Sequence, residues 1–164
     1  MTVYHETFTS RARKTPSFRD ITAEVELVLA RSAIEQGLLV VFSQHTTCSV
    51  LIQEASDDVD YWGTEFLMQD LVSVLEGLVP TCRTQGQYQH PGPKHIEAAL
   101  QREEQAAWSL NTDAHLRSVL LGRSQSIPVE GGRMLLGDFG RIYFADFDQT
   151  RPRERTVRVQ IVGE

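Results

Sequence analysis

Ser43-Gln44-His45-Thr46-Thr47-Cys48-Ser49-Val50-Leu51-Ile52-Gln53-Glu54 opens with a polar cluster around one histidine and runs into a β-compatible segment closed by a carboxylate. The apolar run Leu38-Leu39-Val40-Val41-Phe42 precedes it and reads as a buried strand. A hydrophobic strand that delivers a histidine and two hydroxyls to its end fixes a polar site on a rigid element. His90 and His115 also stand beside small polar residues at the ends of predicted elements. The expectation is that the fold brings these three histidines together.

Outward from that stretch, the pattern is mixed. Met1 to Phe8 alternates and predicts a first strand, and Ser10 to Asp20 is a basic, polar connection carrying Pro16. Thr22 to Gln36 has apolar residues at helical spacing, with Thr22 as a cap and Gly37 as a stop. Strands follow over Leu38–Phe42 and about Thr47–Glu54. Asp57-Asp58 begins a second helix whose apolar stripe, from Val59 and Trp62 through Leu71 to Leu78, marks it as a core-facing element. Thr81 to Pro93 reads as a loop and His95 to Trp108 as a short polar helix. Another helix, capped by Asn111 or Thr112, runs to Gly122.

From Ser124 the pattern is β: Ser124–Val129, a turn at Glu130-Gly131-Gly132, Arg133–Leu136, an alternating Arg141–Asp148, and Thr156–Val162. Helices in the first two-thirds and strands at the end predict an α+β fold. The 164 residues suit a single compact domain spanning 1–164, without repeats.

A net charge of −6 argues against a general affinity for nucleic acid or an anionic membrane. No apolar run approaches the roughly 20 residues of a membrane span. Cys48 and Cys82 lack metal-motif spacing, and Thr7 to Asp20 is too polar and basic for a signal peptide. A cytoplasmic location with free thiols is the expectation.

Three neutral imidazoles suit a zinc-like ion with an open fourth position, although any single histidine also suits a core hydrogen bond. His5, in the first strand, and His95, after Pro93-Lys94, read as surface residues. Glu54, Asp113, Asp146 and Asp148 sit near element ends. Strand alternation puts His45 and Glu54 on opposite faces, and nine residues of strand span roughly 30 Å. A bulge or a neighbouring subunit is needed to reunite them. Arg151, Arg153 and Arg155 form a basic cluster suited to phosphate or to a solvated strand edge. Cys48, on one face with Val50 and Ile52, reads as a small core residue rather than a nucleophile.

Gln44-His45-Thr46-Thr47 with the strand ending Gln53-Glu54 resembles the YjbQ-like family, also called secondary thiamine-phosphate synthases. Tyr88-x-His90, Asp113-Ala114-His115-Leu116-x-Ser118, and Ser124, Ile127, Val129, Gly132, Gly137 and Ile142 match further blocks of that pattern, as does Asp146-Phe147-Asp148 with the arginines after it. The resemblance implies an α+β domain on antiparallel sheets, assembled as a homotrimer. It also implies a weak activity joining a pyrimidine diphosphate to a thiazole phosphate.

On this basis His45, His90 and His115 are the candidate ligands of a divalent metal ion, zinc or magnesium, that binds phosphoryl oxygens. Arg151 and Arg153 are the candidate phosphate contacts. Glu54 and Asp113 join His45 as candidate catalytic residues that orient a histidine or a water. A non-catalytic trimeric binding protein and a metal-dependent phosphoester hydrolase are the alternatives. The sequence departs from the family pattern at Gln53, at Phe139-Gly140, and in the longer segment Pro91 to Leu110, which lies beside the expected site.

Overall fold

The computed structural model describes residues 1–11 and 16–164. Its elements are β1 (Thr2–Arg11), β2 (Ser17–Asp20), α1 (Thr22–Ser32), β3 (Gln36–Ser43), β4 (Cys48–Glu54), α2 (Phe66–Leu78), α3 (Pro93–Gln101), α4 (Thr112–Leu121), β5 (Ser124–Glu130), β6 (Arg133–Met134), β7 (Gly140–Asp146) and β8 (Glu154–Gly163). A 3₁₀ turn over Ala106–Ser109 lies between α3 and α4.

The strands form two antiparallel sheets, one ordered β1-β8-β3-β5-β6 and one ordered β2-β7-β4. Apolar residues of β3, β5 and β8 meet those of β4 and β7 between the sheets, together with Ile21, Val25, Val28 and Leu29 at α1. A second core lies on the other face of the smaller sheet, where Met68 and Leu75 of α2 and Ala114 of α4 pack on Leu51, Tyr143 and Ala145. The alternation along Arg141–Asp148 therefore does not divide core from solvent. Ile142 and Phe144 enter one core and Tyr143 enters the other, so β7 is buried on both faces. Each such side chain contributes about 1.5–3 kcal/mol by leaving water, which makes β7 the central beam of the domain.

Several boundaries differ from the expectation, each for a local reason. The helix expected from Asp57 starts at Phe66. Asp60 Oδ1 accepts the N–H groups of Trp62 and Thr64, both at 2.8 Å, and Gly63 turns the chain at φ 79°. Val59 bridges Glu65, so Val59 and Trp62 stay exposed instead of continuing the stripe. Helix α1 stops at Ser32, where Ala33 takes a left-handed φ of 54°. Gly37 is a strand residue and not the helix stop: a Cβ there would sit 2.2 Å from the Val162 carbonyl oxygen across the sheet.

Thr22 is the first helical residue rather than the cap, and its N–H and hydroxyl both donate to Asp20 Oδ1. The expected connection Ser10–Asp20 contains the end of β1 and all of β2, with 12–15 outside the described residues. The single helix expected from His95 to Trp108 is two pieces broken at Glu103, whose φ is 61°.

Candidate functional site

A cavity of about 340 Å³ opens where the β3–β4 turn, the start of β8, α4 and the 93–109 segment meet. The turn is built by its own polar residues. Ser43 Oγ accepts the His45 N–H at 3.2 Å, and Cys48 N donates back to the His45 carbonyl at 3.2 Å. His45 thus stands in a tight turn just after β3, not in a strand as the alternation implied.

Hydrogen bonds fix the tautomer of each candidate imidazole. The Thr156 backbone N–H donates to His45 Nε2 at 2.9 Å, one residue beyond the last β3–β8 pair, Ser43 with Val157. That nitrogen is unprotonated, so in the neutral ring Nδ1 carries the hydrogen. The Thr112 hydroxyl spends its proton on the His90 carbonyl at 2.6 Å, so His90 Nδ1, 2.9 Å from the same oxygen, must be the donor. His115 Nδ1 lies 3.2 Å from the Thr46 carbonyl, which only accepts. His90 and His115 therefore both keep a free Nε2 lone pair.

All three rings are held toward the neutral form. Burial lowers the pKa of His45, helped by Arg155 and Arg153, and burial with His95 and His115 lowers that of His90. Burial also lowers that of His115, against the Thr46 carbonyl and the nearby carboxylates. The rings of His90 and His115 are 5.8 Å apart, centroid to centroid, and His45 and His115 line the same cavity.

The arginine cluster divides by depth. Arg155 is buried, with Nε 2.7 Å from Asp146 Oδ2 and Nη2 on Asp146, Asp148 and Thr47. Arg153 lines the cavity, 3.7 Å from Asp148, and its buried Nε has no hydrogen-bond partner. Burial, only partly opposed by Asp148, lowers its pKa. Arg151 is turned away: it stacks over Trp108 at 3.9 Å and pairs with Glu104 at 3.0 Å. Counting Arg102, which meets Glu104 at 3.3 Å, four guanidinium groups face three carboxylates. Of these, Arg102, Arg153 and Arg155 line the cavity with one carboxylate, Glu104, and the rest of the wall is hydroxyls, amides, imidazoles and the Trp108 indole.

Glu54 is not brought to this cavity within one chain. It lies exposed at the far end of β4, opposite Gly140, whereas Cys48 at the near end faces Asp146. Two departures from the family pattern, Gln53 and Phe139-Gly140, gather at that same far end, while the 91–110 departure forms a cavity wall. Asp113 is buried in the first turn of α4, its Oδ1 without a partner and its pKa raised by burial; it does not line the cavity. Cys48 is fully buried and burial pushes its thiol up to about 12, which fits a core residue and not a nucleophile.

Residue pattern alone passed over His95, Arg102, Trp108 and Ser109, all of which line the cavity. The ring of His95 lies 4.6 Å from that of His90, so it is not simply a surface residue. Its only sequence signal was its place five residues after His90 across Pro-Gly-Pro.

The donor chemistry tests whether a metal fits. A neutral imidazole offers one lone pair, and that of His45 is taken by Thr156. As the rings stand, the three-histidine set does not fit an ion. In the His90–His115 pair each ring is held by an oxygen on Nδ1 and keeps its Nε2 lone pair free. Among the described residues, no group of three or more His, Cys, Asp or Glu is disposed to hold a metal.

Two packed sheets backed by helices, with an arginine- and histidine-lined cavity at one corner, define a small α+β domain. Comparison with known proteins makes the assignment specific. The family model described as UPF0047 protein YjbQ-like matches residues 6–164. A UPF0047 protein of Methanothermobacter thermautotrophicus is 36% identical over 164 residues, covering 100% of this chain and 95% of the relative. The UPF0047 protein YugU of Bacillus subtilis is 30% identical, covering 96% and 98%. Among solved structures, a YbjQ-like protein of unknown function from Sulfolobus solfataricus superposes with a TM-score of 0.79 at 23% identity, covering 99% of both chains. A hypothetical protein from Aeropyrum pernix gives 0.75 at 31%, covering 98% of both. The chain belongs to the YjbQ-like UPF0047 family.

Proposed function

We propose that the cavity binds a phosphorylated small molecule, and that the chain is an enzyme of the secondary thiamine-phosphate synthase type, joining a pyrimidine diphosphate to a thiazole phosphate. The observation that carries this reading is the surplus guanidinium charge at a donor-rich cavity, with Arg153 Nε buried and unpartnered beside it. Phosphoryl oxygens are the acceptors such a wall lacks. The cavity volume of about 340 Å³ lies at the small end of ligand sites.

Departure of pyrophosphate concentrates negative charge on one group, and fixed donors aimed at that group lower the barrier without reorganising. Arg153 and the Thr46 and Thr47 hydroxyls would bind it, while Arg155 holds the wall. Incubating the purified protein with both precursors tests the reading: condensed product is expected. Pyrophosphate binding without product would leave a binding protein, release of inorganic phosphate would mark a hydrolase, and no binding would end the proposal.

The free Nε2 lone pairs of His90 and His115 favour a second element, a zinc-like or magnesium ion held by that pair, which when bound would neutralise phosphoryl charge. Zinc titration of His90→Ala and His115→Ala is expected to show lost affinity in each.

The expected homotrimer stays part of the proposal. Val74 and Leu78 of α2 and Val119 and Leu120 of α4 leave apolar surface exposed on neighbouring helices. Copies of the chain would bury it, and an assembly that set the far end of β4 against a neighbour's cavity would bring Glu54 there. Sedimentation equilibrium giving the mass of one chain would refute the trimer. Among the described residues no helix is long and apolar enough to cross a membrane. Two free, buried cysteines accord with the proposed cytoplasmic location.

A further inference from the structure

We infer that His45 serves this site as a fixed hydrogen-bond donor to a bound phosphoryl oxygen and not as a metal ligand. The inference rests on the phosphoryl reading of the cavity and assigns the role of one ring within it. His45 differs from its two companions in which nitrogen the protein has already used. In His90 and His115 an oxygen takes the Nδ1 hydrogen and the lone pair stays free. In His45 a backbone N–H takes the lone pair at 2.9 Å and the Nδ1 hydrogen stays free.

Among the described residues no protein group accepts that hydrogen, and the ring lines the cavity beside Arg153 and Thr46. Among the described residues that leaves the hydrogen to solvent or to a bound ligand that accepts.

The arrangement is anchored by backbone. The Thr156 N–H lies just past the Ser43–Val157 pair, so the imidazole stands in for the next carbonyl of the β3–β8 ladder. To ligate a metal the ring would have to abandon that N–H or lose its remaining proton as well. Leaving the N–H unpaired at a sheet end is unfavourable, and an imidazolate beside Asp146 is more so. A second proton on the ring would sit on Nε2 and confront the Thr156 N–H. His45 is therefore a neutral donor of fixed direction, the geometry that phosphoryl recognition uses.

The test uses the full-length chain labelled with ¹⁵N, with long-range proton–nitrogen spectra recorded alone, with pyrophosphate, and with Zn²⁺. His45 is expected to show an unprotonated Nε2 that zinc leaves unmoved, while pyrophosphate shifts its Nδ1. His45→Gln keeps both functions in one side chain, its oxygen for Thr156 and its amide for the anion. It should bind pyrophosphate within about threefold of wild type, whereas His45→Ala should lose about tenfold or more. Both should bind zinc as wild type does.

Zinc moving His45 Nε2, or a tenfold loss of zinc affinity in His45→Gln, would overturn the inference. Should His45→Ala fail to fold, the Gln variant and the wild-type spectra still decide. Wild type that binds no pyrophosphate would end the phosphoryl reading and the donor role with it. Pyrophosphate that binds without moving His45 Nδ1 would end the donor role alone.

Discussion

The two walls of the cavity are made in different ways. One wall, carrying His45, Thr47 and Arg155, grows out of β-ladders and is braced by the buried Arg155–Asp146–Asp148 network. The other carries His95, Arg102, Glu104 and Trp108 on short helical pieces and the turn between them, which meet the first through Arg151, stacked on Trp108 and paired with Glu104. The sheet wall is tied into the fold by ladder hydrogen bonds and buried ion pairs, whereas the helical wall meets it through the Arg151 contacts. On the proposed function, fixed chemistry would belong on the first and substrate selection on the second. The segment that departs from the family pattern near the cavity belongs to the helical wall.

The contrast can be broken most forcefully at Arg155. Arg155→Met leaves Asp146 and Asp148 buried with too little countercharge and should cost about 3–5 kcal/mol of stability. Urea unfolding showing a loss below about 1 kcal/mol would mean the sheet wall is no stiffer than its partner.

The next effect concerns pH. The Thr81 hydroxyl and N–H, then Arg117, hold Glu76 down to about 2, tying the end of α2 to α4 and so to His115. Because the folded pKa lies below the unfolded one, the stabilisation is present above about 4.5. It is lost as pH falls through the range down to about 2. Glu76→Gln should flatten the acid limb of a stability–pH curve, and an unchanged limb would assign acid sensitivity elsewhere.

Trp108→Ala removes the face on which Arg151 rests. It should lower global stability by about 1 kcal/mol or less while raising amide exchange through 91–110, with exchange in β3 and β8 unchanged. Exchange rising equally in the strands would merge the two walls into one unit. The smallest effect is expected for His95→Ala: stability within about 0.5 kcal/mol of wild type, but altered preference among phosphorylated ligands in a binding panel. Identical preference would remove the helical wall from recognition.

Much of this architecture could be read from residues alone. The apolar run through β3, the alternation of β5 and β8 and the pattern of α4 identified the α+β fold, because each element carries its own period. Local polar chemistry defeated the rest. Asp60 captured the chain before α2 could start, and Ala33 ended α1 where its pattern still continued. The dual burial of β7 depends on a second core that no single segment reveals.

At the site, residue type pointed to three histidines and a basic cluster. Which nitrogen of each ring is free depends on partners such as Thr156, 111 residues away in sequence. The depth of each arginine follows from where β8 begins, with Arg155 inside it and Arg151 and Arg153 before it.

Cys48 supplies a built-in clock for these ideas. Its thiol is buried in the core between the sheets, next in sequence to the cavity-lining Thr47 and with the Ser118 hydroxyl on its carbonyl at 2.6 Å, so a disulfide reagent can reach it only when that corner opens. The labelling rate, followed by absorbance on a Cys82→Ser variant so that Cys48 is the one thiol reporting, reads how often the corner opens. A bound anion that clamps the corner should slow it in proportion to occupancy.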